Sequence, residues 1–340
     1  MEEKKKKMIG LRGLLVAAVV LCLISLAFSA EEAKRKQLQF RENGEFNIVQ
    51  VADMHCADGK TTPCRDLLPS EMASCSDLNT TAFIHWMILA EKPDLIVFTG
   101  DNICSDATDA ARSLDDAFSP AISASIPWAA VLGNHDQEST LSREGVMKHI
   151  VTTWSGDNSK VPSVSGYDWI KLSQQIWFQR TSMKLQKAYM SKPNAEEAPA
   201  PGLAYFHIPR PEFANAVDSS NYTGVKQDPI SSASVNSAFF TTMVEAGDVK
   251  AVFTGHDHLN DFCGEYTGIQ LCYAGGFGYH AYGMAGWATR ARVVVAKLEK
   301  TEEASWGPLK SIKTWKRLDD QNLTAIDVQV LWSNSTTGIH

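Results

Sequence analysis

Histidine and aspartate residues recur in this sequence at short spacings, each time directly after a run of apolar residues. Asp53 and His55 lie two positions apart, and His256 and His258 repeat that spacing late in the chain. A carboxylate and an imidazole, or two imidazoles, at this spacing can turn toward one metal ion or two adjacent ions. Either pair alone is more simply explained as the polar start of a loop. Further blocks of the same kind are needed to favour the metal-binding interpretation of the pairs.

Four more polar residues follow apolar runs in the same way. They are Asp101, Asn134, His135 and His207. Together the blocks offer imidazole, carboxylate and amide oxygen ligands without a thiolate, a set that suits Zn, Fe or Mn. The donors suffice for two ions bridged by a carboxylate. Two ions roughly 3.5–4 Å apart can hold the attacking and leaving oxygens of a displacement at phosphorus.

The apolar runs predict the strands that position these residues. Residues 95–99 are apolar or β-branched, which is typical of a strand buried on both faces. Strands over residues 46–52 and 127–132, with helices over 80–91 and 106–118, complete an alternating pattern that predicts an α/β fold. The second helix is predicted to end before Pro120. Ligands of such sheets lie at the carboxyl ends of the strands.

The remaining elements are predicted from the same periodicities. Further helices are expected over residues 142–151, 169–190 and 231–246, and further strands over residues 202–206, 249–254, 269–273, 292–298 and 328–332. Four histidines have no position at a strand end, so we expect them to be structural: His85, His149, His280 and His340.

The first thirty residues form a separate segment. A basic start, an apolar run from Leu14 to Phe28 and the small residues Ser29 and Ala30 predict a signal peptide over residues 1–30 that is cleaved. An uncleaved signal anchor is the alternative. Cleavage would yield a secreted protein without membrane attachment, with the cell wall or the vacuole as alternative destinations. The net charge of −7 and the lack of other basic clusters argue against a nucleic-acid surface.

The cysteines fit an oxidising compartment. Six follow the predicted signal peptide, and the sequence leaves their pairing open: Cys56, Cys64, Cys75, Cys104, Cys263 and Cys272. Cys263 with Cys272 and Cys64 with Cys75 are the local options. Four N-x-S/T sequons are compatible with a secreted glycoprotein, at Asn79, Asn221, Asn322 and Asn334.

The order of the polar blocks resembles that of a known enzyme family. The succession D-x-H, G-D-N, G-N-H-D, His and G-H-x-H is similar to the calcineurin-like metallophosphoesterases. The residues around these blocks resemble the small plant purple acid phosphatases, from about Phe46 to Val295. The motifs that carry this resemblance are VADMH, GDN, LGNHDQES, FHIP, FTGHDHLNDFCG and GGFGYHAYG. The resemblance implies one domain over residues 31–340, built as a layered sandwich of two mixed β-sheets flanked by helices.

The resemblance also implies residue roles. One ion would be held by Asp53, His55, Asp101 and His258, and the other by Asp101, Asn134, His207 and His256. Asp101 would bridge the two ions. His135 would act as general acid toward the leaving group, with Asp136 orienting its ring. The nucleophile would be a metal-bound hydroxide.

Two positions depart from the family pattern. Cys104 stands where the purple enzymes carry the tyrosine that binds ferric iron. Of the expected pair of ions, Fe with Zn or Mn, this departure favours Zn or Mn over ferric iron. Residues 152–166 are short and polar where such enzymes carry additional strands. We expect roughly two strands to be absent, which would leave a sheet edge exposed.

The sequence therefore predicts a secreted binuclear-metal phosphatase that hydrolyses a small phosphate monoester. Two alternatives stay open. The same site could act on phosphodiesters or nucleotides, because the loops around the cleft set specificity. The chain could also be a catalytically inactive secreted homologue. The oligomeric state is left open.

Overall fold

Three of the expected strands lie side by side and parallel in the computed structural model. They are β1 (Glu45–Val51), β2 (Leu95–Thr99) and β3 (Trp128–Val131), with β2 in the middle. All residues of β2 after the first are buried, as expected of a strand covered on both faces. The structure describes residues 38–152, 167–191, 199–218, 221–301 and 306–334. Of these, the residues from Phe40 onward belong to one compact unit.

The strands assemble into two sheets. The further strands are β4 (Gly202–Tyr205), β5 (Tyr222–Thr223), β6 (Val249–Thr254), β7 (Cys263–Tyr266), β8 (Ile269–Tyr273), β9 (Arg290–Lys300), β10 (Trp306–Leu318) and β11 (Ala325–Ser333). The first sheet has the order β11-β10-β9-β1-β2-β3 and the second β4-β6-β8-β7-β5. Both combine parallel and antiparallel pairs. The prediction of two mixed sheets flanked by helices is confirmed.

Helices connect the strands and cover the sheets. They are α1 (Pro69–Met72), α2 (Leu78–Glu91), α3 (Ala110–Ser123), α4 (Arg143–Thr152), α5 (Leu172–Met190), α6 (Glu212–Asp218) and α7 (Phe239–Ala246). Alternate residues of a strand face opposite sides. Val49 therefore packs with Phe83 of α2, whereas its neighbour Ile48 packs with Phe253 of the second sheet. The apolar layer between the sheets holds their site-bearing ends together.

Two of the predicted helices begin at least four residues later in the structure than expected. Helix α3 begins at residue 110 because the Asp109 carboxylate caps it, accepting from the backbone N–H groups of Ala111 and Arg112. Pro120 lies inside this helix and does not end it, so that prediction was wrong. Helix α7 starts at residue 239 and not at 231, because Ala238 before it adopts a left-handed φ of 57°.

The sequence did not predict strands β5, β7 and β10 or helices α1 and α6. Strand β10 is the longest of the described strands, with 13 residues. Its register against β9 and β11 shifts in several places, so its apolar residues do not alternate strictly. The strand is therefore defined by its neighbours on both sides and not by a local pattern.

Several predictions fall on residues outside the described ranges. They concern the signal peptide over residues 1–30, residues 153–166 of the polar stretch, and His340. Within the described residues, β3 has no neighbouring strand beyond β2 and forms an edge of its sheet. No helix in the described ranges is both long enough and apolar enough to cross a membrane.

Both disulfides that the spacing allowed are present. Cys64 is bonded to Cys75, and Cys263 to Cys272 on the paired strands β7 and β8. Cys56 and Cys104 are free and buried. The first disulfide closes the loop after β1, and the second joins two strands of the second sheet.

A buried ionic cluster lies beneath the loop that follows β6. Asp261 is fully buried, with its carboxylate 2.6 Å from Arg290 Nη1 and 2.7 Å from Lys316 Nζ. Burial opposes ionisation of Asp261, but the attraction of Lys316 outweighs it and lowers the pKa of the carboxyl. The cluster links strands β9 and β10 to the loop three residues after His258.

Replacing Asp261 should destabilise the protein strongly. In Asp261→Asn the buried side chains of Arg290 and Lys316 lose a compensating negative charge, so the free energy of unfolding in urea should fall by about 3–5 kcal/mol. Because the folded pKa of Asp261 is lowered, its contribution exists above the unfolded value. The difference in free energy of unfolding between the wild type and Asp261→Asn should therefore shrink as the pH falls below about 4. Glu45→Gln, which removes the exposed pair with Lys297, should cost less than about 1 kcal/mol. Equal effects of the two variants would contradict this account.

Candidate metal centre

The loops after β1, β2, β3, β4 and β6 meet at one end of the two sheets. Four residues of these loops have positive φ angles: Asp53 (56°), His55 (46°), Asp101 (48°) and His256 (80°). Such angles are uncommon outside glycine and persist only where the surroundings enforce them. The first two loops enforce them on each other, since Asp53 N–H donates to Gly100 O and His55 N–H to Asp101 O. The turns direct the side chains toward a common centre.

A glycine allows the third loop to approach this centre. A Cβ atom on Gly133 would lie 2.1 Å from Asp101 Oδ1 and 2.3 Å from Asp101 N. No side chain fits at such distances, so the glycine is required for the close approach of the two loops. The approach also lets the backbone N–H of His135 donate to Asp101 Oδ1 at 2.7 Å.

One group of donors consists of Asp53, His55 and His258. One ligand atom of each lies within 4.8 Å of the others, and all three residues are buried. His258 Nδ1 donates to Tyr282 O at 2.8 Å, which leaves its Nε2 facing Asp53 Oδ1 at 3.6 Å. A backbone acceptor that orients an imidazole in this way is a common feature behind metal ligands.

A second group consists of Asp101, His207 and His256, again with ligand atoms within 4.8 Å of one another. His207 Nδ1 donates to Thr99 O at 2.9 Å, so its Nε2 faces the centre. That nitrogen lies 3.2 Å from Asp101 Oδ2 and 3.1 Å from Asn134 Oδ1. Asn134 therefore belongs to this group. The Asp101 carboxylate also lies 3.7 Å from His55 Nε2 of the first group.

Two nitrogen atoms at this centre lack hydrogen-bond partners among the described residues. They are the buried Nε2 atoms of His55 and His256. An unsatisfied buried polar atom is costly, about 1–3 kcal/mol, and calls for an explanation. The explanation that fits the donor types is coordination, because Nε2 lone pairs and carboxylate oxygens surround one space. The residues present therefore fit two cations.

Burial sets the protonation of the imidazoles. It lowers the pKa of His256 to about 3 and that of His258 to about 4, so both rings are neutral near pH 7 and can coordinate. Burial also raises the pKa of Asp53 to about 8. His207 differs, because the charge of Asp101 outweighs burial and raises its pKa to about 9. The Asp101 carboxylate therefore attracts positive charge, which bound cations can supply.

His135 lies beside the donors and not among them. Its side chain is 40% exposed, and its ring centroid is 5.3 Å from that of His55. His135 Nδ1 pairs with Glu138 Oε2 at 2.5 Å, so Glu138 orients the ring. Asp136, to which the resemblance assigned this role, makes different contacts. Asp136 is buried and its carboxylate accepts three backbone N–H groups, from Asn102, Ile103 and Gly133.

A cavity of about 130 Å³ opens onto the centre. It is lined by His55, Asp101, His135, Tyr167, Ser231, His256, Asp257, His258 and Tyr282. The sequence gave no role to four of these residues: Tyr167, Ser231, Asp257 and Tyr282. The ring of Tyr282 stacks on that of His258 at 3.8 Å, and its hydroxyl donates to Asp228 at 2.8 Å. The only sequence signal that pointed to Tyr282 was its position in the GGFGYHAYG block.

The comparison with protein families agrees with the fold and the donors. The family described as Calcineurin-like phosphoesterase matches residues 46–260, more than half of the 340 residues. The chain belongs to this family.

Two relatives from Arabidopsis thaliana are similar over most of the chain. The "Probable inactive purple acid phosphatase 29" is 54% identical over 93% of this chain and 92% of its own length. The "Probable inactive purple acid phosphatase 14" is 45% identical over 99% of this chain and 96% of its own length. The resemblance to purple acid phosphatases is confirmed. The alignments span 362 and 386 positions against 340 residues here, so these relatives carry residues that this chain lacks.

Among solved structures, the purple acid phosphatase PPD1 from yellow lupin (Lupinus luteus) seeds is similar in fold. The match has a TM-score of 0.49 and 13% sequence identity, and it covers 87% of this chain and 54% of the lupin chain. Similarity at this level carries no information on activity.

A side chain at residue 133 should disrupt the centre. In Gly133→Ala the new methyl group collides with Asp101, so the affinity for metal ions should fall by roughly tenfold or more. Metal content after equilibrium dialysis against Zn²⁺ would measure this. The matched control is Gly202→Ala, where the nearest atom to the new methyl group is Asp248 O at 3.6 Å. Unchanged metal content in Gly133→Ala would show that the close approach is not needed.

Proposed function

We propose that this protein is a binuclear-metal phosphatase that hydrolyses phosphate monoesters of small molecules. One observation carries the proposal: two groups of buried donors flank Asp101, and each contains an imidazole nitrogen without a partner among the described residues. A site for a single ion would leave one of these nitrogens unsatisfied. Two cations that share Asp101 would satisfy both.

The residues that would hold the cations follow from the grouping. Asp53, His55 and His258 would hold one cation, His207, His256 and Asn134 the other, and Asp101 would contact both. When bound, the cations supply positive charge for the phosphate oxygens and lower the pKa of water at the site. The protein holds the rings of His207 and His258 through backbone carbonyls, so that their Nε2 atoms stay directed inward.

His135 is the residue we assign to protonation of the leaving group. Its ring lines the cavity and is open to solvent on one side. Glu138 is the positioning residue, because its carboxylate contacts Nδ1 and thereby directs Nε2 away from itself. Asp136 supports the reaction indirectly by joining the loops that carry Asp101 and His135.

Zn²⁺ and Mn²⁺ are the cations that we favour, with iron as the third candidate. Imidazole and carboxylate ligands suit all of them. A tyrosine would favour ferric iron, but Cys104 stands at its place, and Cys104 belongs to neither donor group. Its thiol hydrogen-bonds to Asp106 and does not contribute to this centre.

Secretion is part of the proposal. The apolar segment in residues 1–30 supports a signal peptide, and the disulfides Cys64–Cys75 and Cys263–Cys272 suit an oxidising compartment. The sequons at Asn221 and Asn322 are exposed and open to glycosylation. A small phosphorylated substrate would reach the centre through the cavity.

A non-catalytic role is the second candidate. The two Arabidopsis relatives are named "Probable inactive" purple acid phosphatases, and they carry residues that this chain lacks. The complete donor set and the Glu138–His135 pair favour activity. Hydrolysis rates on 4-nitrophenyl phosphate and bis(4-nitrophenyl) phosphate would separate monoesterase from diesterase activity.

Asp101→Asn should abolish both metal binding and activity. The substitution removes the negative charge that lies between the two donor groups, so kcat on 4-nitrophenyl phosphate should fall at least about a hundredfold. Bound metal measured by mass spectrometry should fall in parallel. Asp94→Asn is the matched control, because Asp94 precedes β2 at its other end and hydrogen-bonds to Asn47 and Arg41. Wild-type protein that binds metal but performs no better than Asp101→Asn would support the non-catalytic role.

Glu138→Gln should affect substrates according to their leaving groups. An alkoxide needs a proton as it departs, whereas 4-nitrophenolate is stable without one. The variant should therefore lose roughly tenfold in kcat on glycerol phosphate and much less on 4-nitrophenyl phosphate. Glu42→Gln, an exposed glutamate outside the cavity, should change neither rate. An equal loss on both substrates would indicate that Glu138 supports the loop and not the protonation step.

A further inference from the structure

A third cluster of metal-ligand residues lies outside the centre described above. Cys104, Asp106 and His280 each place one ligand atom within 4.8 Å of the others. Cys104 and His280 are buried, and the Asp106 side chain is 51% exposed, so the cluster is open to solvent on one side. Neither the sequence patterns nor the proposed phosphatase chemistry accounts for this cluster.

The hydrogen bonds of His280 determine which nitrogen is available. His280 Nδ1 lies 2.7 Å from Pro63 O, and a carbonyl oxygen only accepts, so Nδ1 carries a proton. His280 Nε2 then faces the two Asp106 carboxylate oxygens at 3.2 and 3.0 Å. The guanidinium nitrogen Arg65 Nη2 lies 2.8 Å from the same atom.

Neither protonation state of His280 satisfies all these contacts. A neutral ring accepts from Arg65 but directs its Nε2 lone pair at the Asp106 carboxylate, which is repulsive. A protonated ring donates to Asp106, but its Nε2–H then opposes the N–H of Arg65. A cation at the position of the guanidinium nitrogen removes the conflict, because it attracts both the Nε2 lone pair and the Asp106 carboxylate, and Cys104 offers a sulfur ligand within 4.8 Å of these atoms.

We propose that Cys104, Asp106 and His280 form a third metal site, which binds Zn²⁺ or a similar transition-metal cation. The guanidinium of Arg65 holds the position while the cation is absent. Arg65 can leave, because its side chain is 47% exposed and, among the described residues, its other side-chain partner is Asp106 itself, at 2.9 Å. The site lies outside the binuclear centre and does not depend on the proposed activity.

The ligand set determines the class of cation. A thiolate, an imidazole and a carboxylate suit Zn²⁺ and exclude Mg²⁺ or Ca²⁺, which prefer oxygen ligands. On binding, the Cys104 thiol releases its proton to solvent, a sulfur–metal bond forms, and no electron transfer is involved. Water can complete the coordination on the side where Asp106 is exposed.

A nucleophilic role for Cys104 is the rival explanation of a cysteine beside a histidine and an aspartate. Burial raises the pKa of the thiol to about 11, and the hydrogen bond to Asp106 adds to this effect. A reactive cysteine has the opposite property, a lowered pKa, whereas a bound cation displaces the thiol proton itself. His280 Nε2 is also engaged by Arg65 and Asp106. The cluster suits coordination better than covalent catalysis.

The surroundings hold the three ligands on connected loops. Pro63 adjoins the Cys64–Cys75 disulfide, and Arg65 N–H donates to Tyr279 O at 2.9 Å. Cys104 N–H donates to Cys56 O at 2.9 Å, which ties the loop after β2 to the loop after β1. A cation here would brace the loops that carry Asp101 and Tyr282 of the binuclear centre.

Cobalt substitution provides a test that is specific to the thiolate. The binuclear centre contains no cysteine, so Co²⁺ bound there gives no thiolate-to-cobalt charge-transfer band in the near ultraviolet. The mature chain, freed of metal and titrated with Co²⁺ without reductant, should develop this band. Cys104→Ser should abolish the band and lower the bound Co²⁺ by one ion per chain. The control Cys56→Ser, which removes the other free buried thiol, should retain it.

A second variant keeps the test independent of folding at the buried positions. Asp106→Asn changes a half-exposed side chain and should weaken the Co²⁺ affinity reported by the thiolate band about tenfold or more. Absence of the band in folded wild-type protein that has filled its binuclear centre would overturn the proposal. Persistence of the band in Cys104→Ser, or an unchanged affinity in Asp106→Asn, would overturn it equally.

Discussion

The carboxylate of Asp101 is the group on which the rest of the centre depends. It lies between two sets of buried imidazoles, accepts the backbone N–H of His135, and approaches the third loop so closely that only Gly133 fits beside it. A buried carboxylate in such a position is favourable only when positive charge surrounds it. Its left-handed φ of 48° adds local strain, which the neighbouring loops must offset.

Each of the two sheets supplies part of the set of side chains at the centre. The first sheet supplies Asp53, His55 and Asp101 from adjacent parallel strands, whose carboxyl ends lie at one edge. The second supplies His207, His256 and His258. The apolar layer between the sheets brings the two sets within reach of one another. The Asp261 cluster then anchors the loop after β6 from below, at a position that solvent does not screen.

The polar residues near the centre divide into those that act on the cavity and those that support loops. Asp136 is buried and satisfied by three backbone N–H groups, so it joins loops. Glu138 is exposed and contacts the ring of His135, so it acts on the cavity. Tyr282 does both, because its ring stacks on His258 while its hydroxyl links the His258 backbone to Asp228. Sequence adjacency alone does not separate these roles.

The sequence by itself determined the strands that end in polar residues, the donor types and the family, because buried parallel strands and short polar blocks are local patterns. Strand β10, the Glu138–His135 pair and the cluster around His280 depended on the tertiary structure. His280 appeared structural because no strand precedes it, yet folding brings it to Cys104 and Asp106, more than 170 positions earlier. Contacts between distant loops follow from the packing of the sheets, and no local periodicity encodes them.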